Sequence, residues 1–190
     1  MDEMIRTMVQ VFKKLDVNYA IIGGIAASIR GKPRMTMDAD VITLIAPEKV
    51  DLLISSMKEY GFNVTKSSES KIVSRMKRGL PVKLRYAKRY SVDLRLALYS
   101  IDKQTIKRAK SITIFDVELP IAVVEDLIVY KMVRFDEVDR ADVKAMLVRN
   151  KNKIKIDDIK KATRKLIEET GNNSIERNLN TVISWIEKGS

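Results

Sequence analysis

The sequence lacks two residue types on which much enzyme chemistry depends. None of its 190 residues is cysteine or histidine. The absence of cysteine excludes a disulfide scaffold, thiolate zinc sites and cysteine nucleophiles. The absence of histidine excludes Ser-His-Asp hydrolysis and histidine-ligated zinc or iron. Any catalysis must therefore come from carboxylates, lysine, arginine, hydroxyls, backbone groups and a hard metal ion.

Aromatic residues and long apolar runs are also scarce. Aromatics make up 6% of the chain, so the core must be built mainly from Ile, Leu, Val and Met. No run of about 18 apolar residues is long enough to span a bilayer, and the N-terminus lacks a signal-peptide pattern. We therefore expect a soluble, cytoplasmic protein without a membrane partner.

Positive charge is concentrated in one part of the chain. The net charge is +11, and residues 61–110 carry fourteen basic and three acidic side chains. Such a local excess indicates a surface for an anionic partner, and a solvated basic face is the alternative. Tyr86 and Tyr90 lie among these basic residues, where they suit either stacking on unpaired bases or ordinary strand packing.

The hydrophobic pattern predicts an α+β (α/β) protein with a mixed sheet flanked by helices. Residues 1–122 form the α/β core, and residues 123–190 form a C-terminal helical part that packs on it. Residues 62–98 are predicted as strands with turns at Ser67-Ser68 and Gly79, and Ile112 to Leu119 as one strand that ends at Pro120. Asp157 and Ser174 are predicted helix N-caps, and Gly171 a C-cap.

A glycine pair marks the first candidate functional element. Gly23-Gly24 follows the apolar strand Tyr19 to Ile22 and opens a short helix. Without side chains, the two residues let backbone N–H groups approach phosphate oxygens at a helix N-terminus. A tight turn that needs glycine dihedral angles is the alternative explanation.

Carboxylates mark the second candidate element. Asp38 and Asp40 are two residues apart in a predicted strand, so both project from one face, while Ala39 faces the core. Asp93 lies on a separate apolar strand, where Arg95 on the same face could instead pair with it. Three carboxylates suit Mg²⁺ or Mn²⁺ and can hold two ions for phosphoryl transfer. A solvated strand end is the alternative for an isolated Asp-x-Asp pair.

These elements together resemble a known family. The segment from Tyr19 to Ala27, followed by Gly31-Lys32-Pro33-Arg34-Met35-Thr36-Met37-Asp38-Ala39-Asp40, is similar to the minimal nucleotidyltransferase signature. Its Arg-x-Thr-x-Asp-x-Asp spacing resembles the abortive-infection type nucleotidyltransferase toxin branch of the DNA polymerase beta-like superfamily. Gly24 stands where serine is common, which removes one hydroxyl contact to phosphate.

A second stretch extends the resemblance to residue 148. Leu119 to Lys131 and Asp139-Arg140-Ala141-Asp142 are similar to the segment of that branch in which a lysine and an aspartate complete the site. The resemblance implies that Lys131 contacts the triphosphate and that Asp142 positions Lys131 or the nucleotide. Two ordinary amphipathic helices with exposed charges are the alternative.

The resemblance implies a nucleotidyltransferase-like sheet and transfer of a nucleoside monophosphate from an NTP to an acceptor hydroxyl. Asp38, Asp40 and Asp93 would hold the metal ions, Gly23 and Gly24 would cradle phosphate, and Arg34 would bind phosphate or acceptor. The basic segment 66–110 would hold an RNA acceptor such as tRNA, and the protein would act as a toxin with an antitoxin or regulatory partner. A catalytically silent nucleotide- or RNA-binding module and a plain nucleic-acid-binding protein are the other hypotheses.

Overall fold

The strands form one mixed sheet in the computed structural model, which describes residues 1–188. Within that range the strand order is β3-β4-β5-β2-β1-β7-β6. The strands are β1 (Asn18–Ile22), β2 (Asp38–Leu44), β3 (Phe62–Asn63), β4 (Val82–Tyr86), β5 (Tyr90–Leu96), β6 (Lys110–Ile114) and β7 (Val117–Ile121). In the sheet centre β2 runs parallel to β5 and antiparallel to β1, and β1 runs parallel to β7. The predicted α+β class with a mixed sheet is confirmed.

Helices flank this sheet and continue after its last strand. They are α1 (Asp2–Lys14), α2 (Gly23–Arg30), α3 (Val50–Glu59), α4 (Lys66–Lys77), α5 (Ser100–Arg108), α6 (Val124–Arg134), α7 (Glu137–Arg149), α8 (Ile156–Thr170) and α9 (Ser174–Glu187). Helix α6 packs against α2, α7, α8 and α9, which joins the C-terminal helices to the core. Phe12 apart, the largest fully buried side chains are Met, Ile and Leu. None of the helices in residues 1–188 has the length and apolar character needed to cross a membrane.

Two segments differ from the sequence prediction. Residues 66–77 form the helix α4 rather than a strand and turn, because the predicted turn at Ser67-Ser68 is the start of a helix with a capping box between Thr65 and Ser68. Ile112 to Leu119 is a hairpin of β6 and β7 rather than one strand, and Pro120 lies within β7. Its turn consists of Phe115 and Asp116, both with positive φ.

The helix ends of the C-terminal part agree in part with the prediction. Gly171 is the C-cap of α8 with a φ of 68°, as predicted. The predicted N-cap Asp157 lies instead in the first turn of α8, which is preceded by Lys155. Ser174 is the first residue of α9 rather than its cap. These shifts of one or two residues leave the helices themselves in place.

Candidate active site

The junction between β1 and α2 brings a helix N-terminus against an acidic strand. The strand ends at Ile22 and the helix begins at Gly23, whose φ of +60° favours glycine. A β-carbon at Gly23 would lie 1.8 Å from Asp40 Oδ2. The Gly24 amide donates a hydrogen bond to the same Asp40 oxygen at 3.3 Å. The glycine pair therefore serves close contact between the helix start and the Asp40 carboxylate.

Three carboxylates share one face of the sheet centre. In the parallel pairing of β2 with β5, Asp40 lies directly opposite Asp93, and Asp38 precedes Asp40 by two residues. Because side chains alternate along a strand, these carboxylates project from one face, while Ala39 is fully buried on the other. The strand that carries Asp38 and Asp40 is therefore the direct neighbour of the strand that carries Asp93.

A lysine from the next strand completes this row. Lys83 on β4 lies opposite Asp93 in the antiparallel pairing with β5. Its Nζ is 3.2 Å from Asp93 Oδ2 and 3.6 Å from Asp38 Oδ2. The sequence pattern placed Lys83 only in the basic segment, because the register of β4 against β5 is not visible there. The structure makes it part of the carboxylate cluster.

The surroundings of Asp40 and Asp93 raise the pKa of both carboxylates. Burial raises the pKa of Asp40, and the negative charge of Asp38 raises it further, against the hydrogen bond from Gly24. Burial also raises the pKa of Asp93, although the ion pair with Lys83 opposes this. Asp93 Oδ1 is buried without a hydrogen-bond partner among residues 1–188. The cluster is therefore short of positive charge.

The cluster fits a hard cation in its chemistry but not as a three-carboxylate cage. Carboxylate oxygens are the ligands that Mg²⁺ and Mn²⁺ prefer, and Asp38 and Asp40 offer two on one strand face. The Thr36 hydroxyl orients Asp38 by donating to its Oδ1 at 2.8 Å. In the described part of the chain, however, no group of three or more Asp, Glu, His or Cys side chains is arranged to hold a metal ion.

A buried ion network on α6 and α7 forms the opposite side of the site. Lys131 Nζ lies 2.8 Å from Asp139 Oδ1 and 2.8 Å from Asp142 Oδ2. Arg34 makes a two-pronged contact with Asp142, at 3.1 and 3.2 Å. Burial lowers the pKa of Lys131, but the two carboxylates outweigh it and raise the pKa overall. Lys131 is therefore charged at neutral pH and held in one orientation.

This network includes Asp139, to which the sequence pattern gave no role, and does not include Arg140. Asp139 binds both Lys131 and Arg134, whose Nε lies 3.2 Å from Asp139 Oδ2. Lys131 and Asp139 lie on different helices, so no helical period in the sequence indicates that their side chains meet. Arg140, in contrast, donates to the Phe135 carbonyl at 3.0 Å and lies over the Phe135 ring. It caps the end of α6.

The two sides enclose a cleft of ≈ 710 Å³, a volume in the range of small-molecule and cofactor sites. Most of the sequence-predicted site residues line it. They are Gly23, Gly24, Arg34, Asp38, Asp40, Asp93 and Lys131. Asp142 stands behind Lys131 and Arg34, and it reaches the cleft through them. Burial raises the pKa of Asp40, and the positive charge of Lys131 on the other side of the cleft opposes that rise.

Arg95, which the sequence offered as a partner for Asp93, binds elsewhere. Its guanidinium makes two hydrogen bonds to the fully buried Asp102, at 3.0 and 2.8 Å. Asp102 also accepts from the Tyr130 hydroxyl at 2.9 Å. Arg95 lies over the Tyr130 ring, 5.3 Å from its centroid. Asp93 therefore pairs with Lys83 and not with Arg95.

A second cavity of ≈ 380 Å³ adjoins the cleft. The two share a wall formed by Ile22, Arg95, Tyr130 and Val133. The remaining lining comes from α5 and its N-cap and from the C-terminal helices: Tyr99, Ile101, Asp102, Leu166, Thr170, Asn172 and Ile175. Apolar side chains therefore line a pocket next to the carboxylates.

The basic segment contains fewer free aromatic groups than its sequence indicates. The Tyr86 hydroxyl donates to Glu3 at 3.1 Å, and its ring packs on Phe62 with centroids 5.0 Å apart. These contacts favour the packing alternative for Tyr86 over stacking on bases. Lys88 and Arg89 are exposed in the turn between β4 and β5.

Comparison with solved structures shows a nucleotidyltransferase fold. The crystal structure of the lincosamide antibiotic adenylyltransferase LnuA with bound lincomycin matches with a TM-score of 0.51 and 13% identity over 77% of this chain and 96% of that chain. An antigenic nucleotidyltransferase-like protein from Paracoccidioides brasiliensis matches with a TM-score of 0.49 and 16% identity over 92% of each chain.

A third match is the antibiotic-resistance factor ANT(2'')-Ia, with a TM-score of 0.42 and 14% identity over 96% of this chain and 91% of that chain. The similarity in fold is to the lincosamide adenylyltransferase. No protein-family model and no curated protein sequence matches the chain.

Proposed function

We propose that the chain is a metal-dependent nucleotidyltransferase that moves a nucleoside monophosphate from an NTP to an acceptor hydroxyl. One observation carries the proposal: Gly24, Asp40, Asp93 and Lys131 line a single cleft of ≈ 710 Å³ on this fold. Carboxylates from the sheet and a buried ammonium from α6 suit a triphosphate neutralised by a divalent cation. We place the enzyme in the cytoplasm.

On the donor side, the triphosphate would lie between the start of α2 and α6. Lys131 and Arg34 supply positive charge, and Asp142 holds both of them in place. The N-terminus of α2 at Gly23 and Gly24 adds backbone N–H groups. A Mg²⁺ or Mn²⁺ held by Asp38 and Asp40 would offset the charge of the phosphates and of the leaving pyrophosphate.

On the acceptor side, Asp93 is the group best placed to take a proton. The acceptor hydroxyl oxygen attacks the α-phosphorus of the NTP and forms the new P–O bond. The bond between the α-phosphorus and the oxygen that leads to the β-phosphate breaks, and pyrophosphate leaves with the electron pair. The hydroxyl proton passes to Asp93, whose raised pKa suits a proton acceptor.

Two acceptor classes follow from separate observations. The exposed basic residues of segment 66–110 support an RNA acceptor such as tRNA, and with it a toxin that an antitoxin or regulatory protein restrains. The apolar cavity beside the cleft supports a small hydroxyl-bearing molecule instead. The adenylyltransferase of similar fold has the small molecule lincomycin bound.

Label transfer tests the proposal. Each of the four NTPs, labelled at the α-phosphate, is incubated with Mg²⁺ and either total RNA or a panel of small hydroxyl compounds. We expect transfer by the wild type and by the surface variant Asp51→Asn, but not by Asp40→Asn. Label in RNA or in a small product identifies the acceptor class.

Two negative results contradict enzyme activity in different ways. Mg²⁺-dependent NTP binding without transfer to any acceptor would favour a catalytically silent nucleotide- or RNA-binding module. RNA binding without NTP binding would favour a plain nucleic-acid-binding protein, with the carboxylates as incidental features.

A further inference from the structure

Lys83 occupies the position of a cation between two of the site carboxylates. Its Nζ is 3.2 Å from Asp93 Oδ2 and 3.6 Å from Asp38 Oδ2. The pairing of β4 with β5 sets this position, because Lys83 lies directly opposite Asp93 in the register. The side chain approaches from the strand next to Asp93, which is the acceptor side of the proposed reaction.

We propose that the Lys83 ammonium is the acceptor-side cation of this site, so that the chain holds one divalent ion, at Asp38 and Asp40, rather than two. The inference rests on the proposed function. Two-metal sites hold their ions roughly 3.5–4 Å apart and share carboxylates between them. Here the carboxylates that would be shared on the acceptor side, Asp38 and Asp93, already share Lys83.

The absence of a preformed metal cage agrees with this arrangement. Among residues 1–188, no three acidic side chains are grouped to hold a metal ion. A second ion between Asp38 and Asp93 would have to displace Lys83 against two ion pairs. The Lys83 side chain is 50% exposed, so a metal ion could displace it without unfolding the protein. The Lys83 ammonium, however, already supplies the positive charge that a second ion would bring.

Lys83 acts in this scheme as a positioning residue. It holds Asp93 in place in the free enzyme, because Oδ2 contacts Lys83 and, among residues 1–188, Oδ1 is buried without a hydrogen-bond partner.

Counting bound Mn²⁺ tests the inference without any turnover. Mn²⁺ is titrated into the full chain without acceptor and measured from the loss of the free-ion EPR signal. We expect one tightly bound ion in the wild type and in Lys83→Arg, which keeps the charge. We expect two in Lys83→Met, because the acceptor-side position is then open. Arg85→Met lowers the net charge equally on the same strand and should keep one.

Two bound ions in the wild type, or one in Lys83→Met at unchanged affinity, would overturn the inference. Transfer assays distinguish failure of this inference from failure of the proposed function. If the wild type binds two ions and still transfers nucleotide, only the role of Lys83 is overturned. A wild type that binds no Mn²⁺ and transfers no nucleotide overturns both.

The metal dependence of transfer gives a second readout. We expect Lys83→Met to lose about 10–100-fold in rate at low Mn²⁺ and to recover as Mn²⁺ rises. The wild type should follow a single-site saturation curve. Full wild-type activity of Lys83→Met at low Mn²⁺ would show that the ammonium is only a counter-ion of the free protein. Thermal melts of each variant confirm that it is folded.

Discussion

At the scale of single residues, the Asp40 carboxylate is held in a place that disfavours its charge. It is largely buried, lies beside Asp38 and accepts a hydrogen bond from Gly24, and its pKa is raised from the ordinary value of 3.8. The folded protein therefore binds the Asp40 proton more tightly than the unfolded chain does. The contribution of Asp40 to the free energy of unfolding is fully present below about pH 3.8. It is lost as the pH rises through the raised pKa of the folded state.

We expect Asp40→Asn to raise the melting temperature at pH 7 and to abolish nucleotidyl transfer. The amide removes the buried charge and can still accept from Gly24. At this chain length each kcal/mol of penalty removed raises Tm by about 2–4 °C. Calorimetric melts at pH 7 and pH 3.5 measure the effect, which should vanish at the lower pH.

Asp51→Asn provides the matched control for this prediction. Asp51 is exposed, and its hydrogen bond with Lys77 lowers its pKa. The variant should therefore not gain stability at pH 7. A Tm gain of equal size in both variants, or a gain in Asp40→Asn that persists at pH 3.5, would show that the Asp40 charge is not the cause.

The placement of single residues was partly readable from the sequence. The alternation of Val92, Asp93 and Leu94 placed Asp93 on the face away from the core, and the structure agrees. The partner of Asp93 was not readable, because it depends on the register of β4. Lys83 and Arg85 are chemically alike in the sequence, and only the pairing shows which one meets Asp93.

At the scale of elements, the junction between β1 and α2 determines where Asp40 lies. Gly23 has a left-handed φ of +60°, and its missing side chain leaves room for the Asp40 carboxylate. Gly24 has ordinary helical geometry, and a β-carbon there would meet Thr36 Oγ1 at 3.1 Å. Gly23 is therefore required both by its backbone conformation and by the position of Asp40, whereas Gly24 is limited by contact with Thr36.

We expect Gly23→Ala to destabilise the protein by at least about 1–2 kcal/mol, the cost of a left-handed alanine, with the clash against Asp40 added. Gly24→Ala should be nearly neutral for stability, because Thr36 can shift by a few tenths of an ångström. Urea unfolding of both variants measures the difference. Equal destabilisation would mean that the junction is not constrained by Asp40.

Elements with a clear hydrophobic period were predictable, whereas those defined by local turns were not. Helix α4 buries only Val73 and Met76 deeply, so its Ser-rich start read as a turn. The hairpin of β6 and β7 turns at Phe115 and Asp116, which take positive φ without a glycine to mark the site. Neither error involves β2 or β5, the strands that carry the three carboxylates.

At the scale of the whole molecule, the core continues across the boundary between residues 122 and 123. One cluster of buried apolar residues includes side chains from the sheet and from the C-terminal helices. Polar contacts also cross it: Arg149 donates to the Gly31 carbonyl, and Asn150 donates to the Arg30 carbonyl. We therefore propose that the C-terminal helical part, residues 123–190, folds together with the α/β core, residues 1–122.

We expect unfolding in urea to be a single transition. Trp185 stacks on Phe135 with ring centroids 5.7 Å apart, so its fluorescence reports on the C-terminal helices, while far-UV circular dichroism reports on the whole chain. The two signals should have the same midpoint. A fluorescence midpoint that differs from the dichroism midpoint would indicate an independent C-terminal domain.

The fluorescence signal also has an internal control. Lys144 Nζ lies 4.8 Å from the centre of the Trp185 ring. Lys144→Gln should shift the emission of the folded protein without separating the two midpoints, because it changes the probe and not the core.

The most direct test of the central claim is calorimetric titration of each NTP into the protein with and without Mg²⁺. For at least one NTP, we expect binding that requires Mg²⁺ and that weakens by more than about 100-fold in the double variant Asp38→Asn, Asp40→Asn, since both proposed ligands are then lost. The same variant should remain folded. NTP affinity that is unchanged by Mg²⁺ or by the double variant would contradict the assignment of this cleft as the nucleotidyltransferase site.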